Sequence, residues 1–244
     1  MSTALAVVGY TFRACLPAKR RLGLLVLAIV TVVFGALAQD SPSGRAAIGI
    51  VETPAVVVFA LVLPIGALVV GDAVLGSEVR GGVFAFTWLS PARLSTILLG
   101  RWLAGTAMTC AALVPAVVLA AIVGGAPEVA ASFAVATAAG AACYLAVFVA
   151  IGANFRRAPV ASLVYVFLIE RLLGAALSSI AQISPGWLAA GVLTGSIDDV
   201  PDDLVRNGVP QGAAAVARLA IITVIALALA LRGLRRLRIA GAAD

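Results

Sequence analysis

Six apolar stretches of this chain are long enough to cross a lipid bilayer, four of them without a charge, and this constrains its fold more than any motif does. A crossing helix needs about 20 mostly apolar residues. Residues 22–39 are uncharged between Arg21 and Asp40, 53–71 between Glu52 and Asp72, 102–127 between Arg101 and Glu128, and 129–155 between Glu128 and Arg156. A fifth stretch, 160–183, is apolar except for Glu170 and Arg171, and a sixth, 213–231, holds Arg218 near its start. A backbone inside lipid must satisfy its own hydrogen bonds, so runs of this length are expected to be helices. The expected fold is all-α, a single polytopic membrane domain over 1–244 with six transmembrane helices. A soluble core is excluded by composition. The chain is 63% hydrophobic and 11% charged, against roughly 25% charged in soluble domains, and a domain this small leaves much of its surface uncovered.

The residues that are missing remove many chemistries. There is no histidine, so Ser-His-Asp, Cys-His and His-ligated metal sites are ruled out. The one lysine, Lys19, lies in no Gly-rich phosphate loop, so this chain is not a P-loop ATPase. Cys15, Cys110 and Cys143 form no C-x-x-C pair, which indicates neither a disulfide framework nor a zinc site. No catalytic, cofactor or metal residue is assigned.

The net charge of +6 would suit nucleic acid, but in a membrane protein the position of each charge matters more than the total. With the N-terminus in the cytoplasm, the inner segments hold thirteen bases: Arg13, Lys19, Arg20, Arg21, Arg80, Arg93, Arg101, Arg156, Arg157, Arg232, Arg235, Arg236 and Arg238. The outer segments hold only Arg45, Arg206 and Arg218, while Arg171 stays in the membrane. This asymmetry predicts that both termini are cytoplasmic; the expected location is a plasma (inner) membrane, of a bacterium. It leaves lipid, not nucleic acid, as the surface these bases meet.

Local signals add detail. Lys19-Arg20-Arg21, an apolar run and Ala36-Leu37-Ala38 follow the order of a signal peptide, but the n-region is long, so a retained span is expected. Ahead of it, Leu5, Val8, Phe12 and Cys15 recur at helical spacing, as in an interfacial amphipathic helix. The small residues of 134–143 favour close helix approach. Pro64 and Pro115 fall within spans and are expected to kink them.

The connection 72–101 reads as an interfacial helix, a break at Gly81-Gly82, and a second amphipathic piece restarting near Pro91. Glu78 and Arg80 precede the break, and Phe84, Phe86 and Trp88 follow it. Composition alone would make this a charged loop with interfacial aromatics. Its spacing, however, resembles the signature of type-2 ABC transporter permeases: an acid, Gly-Thr, a hydrophobic run, Pro, a base and Leu-Leu-Gly-Lys. Glu78, Gly82, Pro91, Arg93 and Leu98-Leu99-Gly100-Arg101 stand in that order here. Val83 replaces the usual Thr, Arg93 comes one place early and Arg101 replaces Lys.

The resemblance implies a permease that pairs with a second copy or a related subunit and docks on separate ABC ATPases, which carry the ATP and Mg. It makes the inner connection between the second and third spans, 72–101, a coupling segment. Glu78 and Arg80 would contact the ATPase, Gly81 and Gly82 would let the chain turn, and Arg93 and Arg101 would anchor it at the headgroups. The cargo it implies is amphipathic or lipophilic, such as a drug, peptide or lipid, moving outward.

Two further features stand apart. Glu170 and Arg171 lie inside the fifth span, where ionisable residues are costly and mark a site by default. As neighbours they point in different directions, so each is expected to find its own partner in a polar lock between helices or subunits. Beyond them, Pro185-Gly186-Trp187 breaks the helix, 188–193 is apolar, and Asp198-Asp199 and Asp202-Asp203 flank Pro201. This stretch looks like the short re-entrant helix of the permease family, with the acids in a solvated outer loop. Cation binding by them is the alternative, although the order of an EF-hand loop is absent.

The leading expectation is the permease subunit of an ATP-driven exporter, with hydrolysis in another chain. A non-transporting membrane anchor or sensor that recruits a cytoplasmic partner would account for the same spans. A membrane enzyme lacks the groups it would need. A secondary transporter would want polar midplane groups in repeated halves.

Overall fold

The computed structural model describes residues 18–40, 45–76, 93–155, 157–198, 200–205 and 207–240. The predicted N-terminal interfacial helix and Glu78, Arg80, Gly81, Gly82 and Pro91 lie outside the described residues, as do Asp199 and Arg206.

The chain is an all-α polytopic membrane protein, and no strand occurs among the described residues. Helix α1 is Ala18–Leu37, and α2 covers 46–76 as alternating α and π turns. Helix α3 is Leu94–Val123 and α4 is Ala130–Asn154. Helix α5 spans Ala158–Ala176, the short α6 is Ser178–Ala181, α7 is Pro185–Thr194 and α8 is Gly212–Ala240. Six of them, all but α6 and α7, are long and apolar enough to cross a membrane.

The boundaries depart from the uncharged runs wherever a charge is tolerated inside a helix. Helix α2 begins seven residues before Thr53 and includes Glu52. Helix α3 begins at Leu94 and includes Arg101, so charge-free length underestimated both. The fifth span ends early: Leu177 is extended (φ −117°, ψ 115°), closing α5 at Ala176 and not near Ile183. Helix α3 continues through Pro115.

Helix α4 is the hub, packed by α2, α3, α7 and α8, with Phe133, Ala136, Ala141, Cys143, Tyr144 and Leu145 fully buried. Its small residues allow this, because transmembrane helices associate through close packing and not through expulsion from lipid. Against α3, α1 comes closest at Gly35, where a Cβ would lie 2.5 Å from the Ala120 Cα. Outward faces, such as Leu22 and Ile29 of α1, Phe167 and Leu172 of α5 and Val224 of α8, are exposed, as lipid-facing apolar side chains should be.

Contacts between helix ends define two faces. Gln39 donates from its side chain to the Val123 carbonyl, and Arg45 donates to the Asp198 carbonyl at 3.3 Å. These put the end of α1, the start of α2, the end of α3 and the 195–211 loop together. At the opposite face Asn154 donates to the Leu229 carbonyl at 3.4 Å, joining the end of α4 to α8. Arg93, Arg157, Arg232, Arg235 and Arg236 belong to this second, basic face.

Helix α7 is the exception to full crossing. Ten residues give about 15 Å, half the ~30 Å hydrocarbon core. A Cβ on Gly195, just past its C-terminus, would collide with Gly212 at the start of α8. Its C-terminus therefore lies at the membrane surface opposite the basic face, while its N-terminus starts deep. The stretch is a ten-residue helix, too short to cross the bilayer by itself.

Candidate functional site

The polar groups of the fifth span gather where α2, α4, α5 and α7 meet. Glu170 is 1% exposed. Its Oε1 accepts three hydrogen bonds: from the Tyr144 hydroxyl of α4 at 2.5 Å, from the Gly186 backbone N–H of α7 at 2.7 Å, and from the Ser184 hydroxyl. Two of these come from the break before α7. Ser184 is extended (φ −85°, ψ 125°) and Pro185 opens the helix, where its missing N–H costs nothing. The next free N–H, that of Gly186, points at the carboxyl. Helix N-termini carry partial positive charge; the N-cap hydroxyl of Ser184 donates to Glu170 and caps nothing in α7, so α5 supplies the acceptor instead.

Gly186 fits here because it has no side chain. A Cβ would lie 2.6 Å from Glu170 Oε1, 2.6 Å from the Tyr144 hydroxyl and 2.8 Å from the Phe59 carbonyl. Every one of these atoms is part of the cluster, so the close approach of backbone to carboxyl depends on this glycine.

Arg171 is half-buried and takes a different partner. It donates to the Phe59 carbonyl of α2, and its guanidinium carbon stands 5.9 Å from the centre of the Trp187 ring, within cation–π range. The Phe59 carbonyl is available for a reason readable in the sequence. Val58–Val62 is a π turn in which the Leu63 N–H bonds to Val58, and the next donor in that register is residue 64, a proline without an N–H. Pro64 thus leaves the Phe59 carbonyl without its helical partner, and Arg171 supplies one, as freed backbone groups in a membrane require.

The pair itself lies in a π-helix, Tyr165–Leu173, a form concentrated at functional sites. Trp187 also donates its indole N–H to the Glu170 carbonyl at 3.4 Å. Glu170 Oε2 and Arg171 Nε are enclosed without a hydrogen-bond partner. A cavity of about 110 Å³ adjoins the cluster, with Arg171, Trp187, Phe59 and Gly186 in its wall and Leu204 of the loop above.

The chain matches no protein-family model and no curated protein. Its site is therefore described by its own geometry.

Among the described residues the two side chains take different partners, Glu170 on α4 and before α7 and Arg171 on α2. Tyr144, Ser184, Gly186, Trp187 and Phe59 were not singled out as partners. Ser-Pro-Gly after an apolar span was their one readable signal, a helix start inside the membrane. Arg93 is exposed beside the first turn of α3. Arg101 is 6% exposed and donates to the Val74 carbonyl of α2 at 3.2 Å. With the helix starting at Leu94, Arg101 sits two turns inside it, against α2. Asp198, Asp202 and Asp203 are exposed in the 195–211 loop, and no group of three or more potential metal ligands occurs among the described residues.

Proposed function

We propose that this chain is the membrane-spanning permease subunit of an ATP-driven exporter of the type-2 ABC kind. Two copies, or one copy and a related subunit, would stand on two separate ATPase subunits in a bacterial plasma membrane, with both termini in the cytoplasm. The cargo class is amphipathic or lipophilic: a drug, peptide or lipid. The observation that carries this reading is the order Glu78, Gly82, Pro91, Arg93 and Leu98-Leu99-Gly100-Arg101 between the second and third of six spans. The basic face, where these residues attach, is the side a cytoplasmic ATPase would occupy.

Two contacts support a mechanical role for the segment. Arg101 ties the start of α3 to the Val74 carbonyl at the end of α2, so a push on residues 77–92 moves both helices together. Helix α2 then reaches the buried cluster through the Phe59 carbonyl held by Arg171, and the cluster holds the N-terminus of α7. Nucleotide would shift this assembly only by contacting its two states differently.

The test is co-expression with a cassette ATPase encoded beside this chain. The expected result is a stable complex whose ATP hydrolysis changes on assembly, with Glu78→Ala weakening that change while membrane insertion persists. A complex with no effect on hydrolysis would favour the anchor or sensor reading. The absence of any ATPase complex would remove the exporter reading.

A further inference from the structure

A second cavity opens on the basic half of the bundle, with Tyr165, the first residue of the π-helix that holds Glu170, in its wall. It is a groove of about 500 Å³ between α4, α5 and α8, open to the outside of the bundle. This is within the range of sites that hold a small molecule. Val147, Ala150 and Ile151 of α4 face Ile225, Ala226 and Leu229 of α8 across it, and its polar liners are Asn154 and Tyr165. From Ile222 to Leu229 it climbs about 10 Å.

The charge at its lower end sets it apart from an ordinary lipid-facing furrow. On α8 the lining stripe continues at helical spacing, from Leu229 into Arg232 and then Arg236, both exposed. On α4 the stripe stops at Asn154, braced against α8 where a Cβ on Gly233 would lie 2.7 Å from its amide. Three residues later comes Arg157, also exposed, at the cap of α5. Arg232 stands twenty residues from Gly212, about 30 Å along the helix, the thickness of the hydrocarbon core. Its guanidinium therefore falls at headgroup level.

We propose that this groove is a binding site for an anionic phospholipid. One acyl chain lies between α4, α5 and α8, and the phosphate meets Arg157, Arg232 and Arg236. Basic pockets between transmembrane helices recognise lipid headgroups in this way. A second copy of the chain is a poorer occupant, because it would bring the same cations to the same place.

Native mass spectrometry of the full chain, purified in mild detergent with equal phosphatidylglycerol and phosphatidylcholine, tests this. One phosphatidylglycerol per chain should be retained in preference. Ala150→Phe, which fills the groove, should lower retention of either lipid several-fold. Arg157→Gln with Arg232→Gln alters only exposed side chains, so it tests the site even if the Phe variant fails to fold. It should keep a bound lipid but erode the preference by about fivefold per arginine. Equal retention of both lipids by the unaltered chain would overturn the proposal, and so would an unchanged preference in the double arginine variant. Crosslinking of Leu229→Cys to a second copy, with no lipid retained, would assign the groove to an interface between copies instead.

Discussion

Glu170 accepts the backbone N–H of Gly186 at 2.7 Å, so a carboxyl on the fifth span caps the N-terminus of the half-span helix α7. A helix start deep in lipid would otherwise expose free N–H groups and a positive dipole end to a medium that solvates neither. The buried acid and the incomplete helix therefore account for each other. Without Glu170, α7 would lack its acceptor, and without the Gly186 N–H, the acid would lose one of its three donors.

Gly186→Ala should destabilise the protein by roughly 1–3 kcal/mol, the usual cost of overpacking, because its Cβ would enter the space between the carboxyl and the Tyr144 hydroxyl. Gly23→Ala is the control, since nothing lies within 4 Å of a Cβ there. Unfolding in mixed micelles should separate the two. Equal stability of both variants would contradict the close approach.

Tyr144→Phe and Glu170→Gln should be non-additive. The first removes the donor of their shared hydrogen bond and the second replaces the carboxyl acceptor by an amide oxygen, and groups sharing a bond couple by about 0.5–2 kcal/mol in membrane helices. A double-mutant cycle on unfolding free energy measures this. A coupling near zero would mean that the two side chains do not share the bond.

Arg171→Gln should cost about 1–2 kcal/mol by stranding the Phe59 carbonyl. The same change should cost less in a Pro64→Ala background, where residue 64 regains an N–H one π turn beyond Phe59. Comparable losses in both backgrounds would show that proline does not create the vacancy.

Gly35→Leu should dislodge α1 from α3, since the first side-chain atom already meets the Ala120 backbone. Hydrogen exchange should then rise across 18–37 while α4, which does not depend on that crossing, keeps its protection. Unchanged exchange in α1 would place the crossing elsewhere.

The number of spans was legible because lipid accepts few charges, so helices appear in the sequence as gaps between them. Their ends were less legible, because the same rule fails where a charge finds a partner. Arg101 was read as the end of a span, yet it lies inside α3 against the Val74 carbonyl, and Glu52 lies inside α2. The fifth span shows the reverse error. Nothing charged marks its end at Leu177, where the backbone simply becomes extended.

The sequence by itself determined that this chain lives in a membrane, that six runs can cross it, and that one acid and one base must be reconciled inside. Those are consequences of solvation, which depends on residue type and run length. Only the tertiary structure decided how the reconciliation is made. Tyr144, Ser184 and Gly186 come from two other parts of the chain, 14 to 26 residues from Glu170, and Phe59 is 112 residues from Arg171. Hydrogen bonds are short and directional, so which groups meet is fixed by how helices cross, and local sequence does not carry that information.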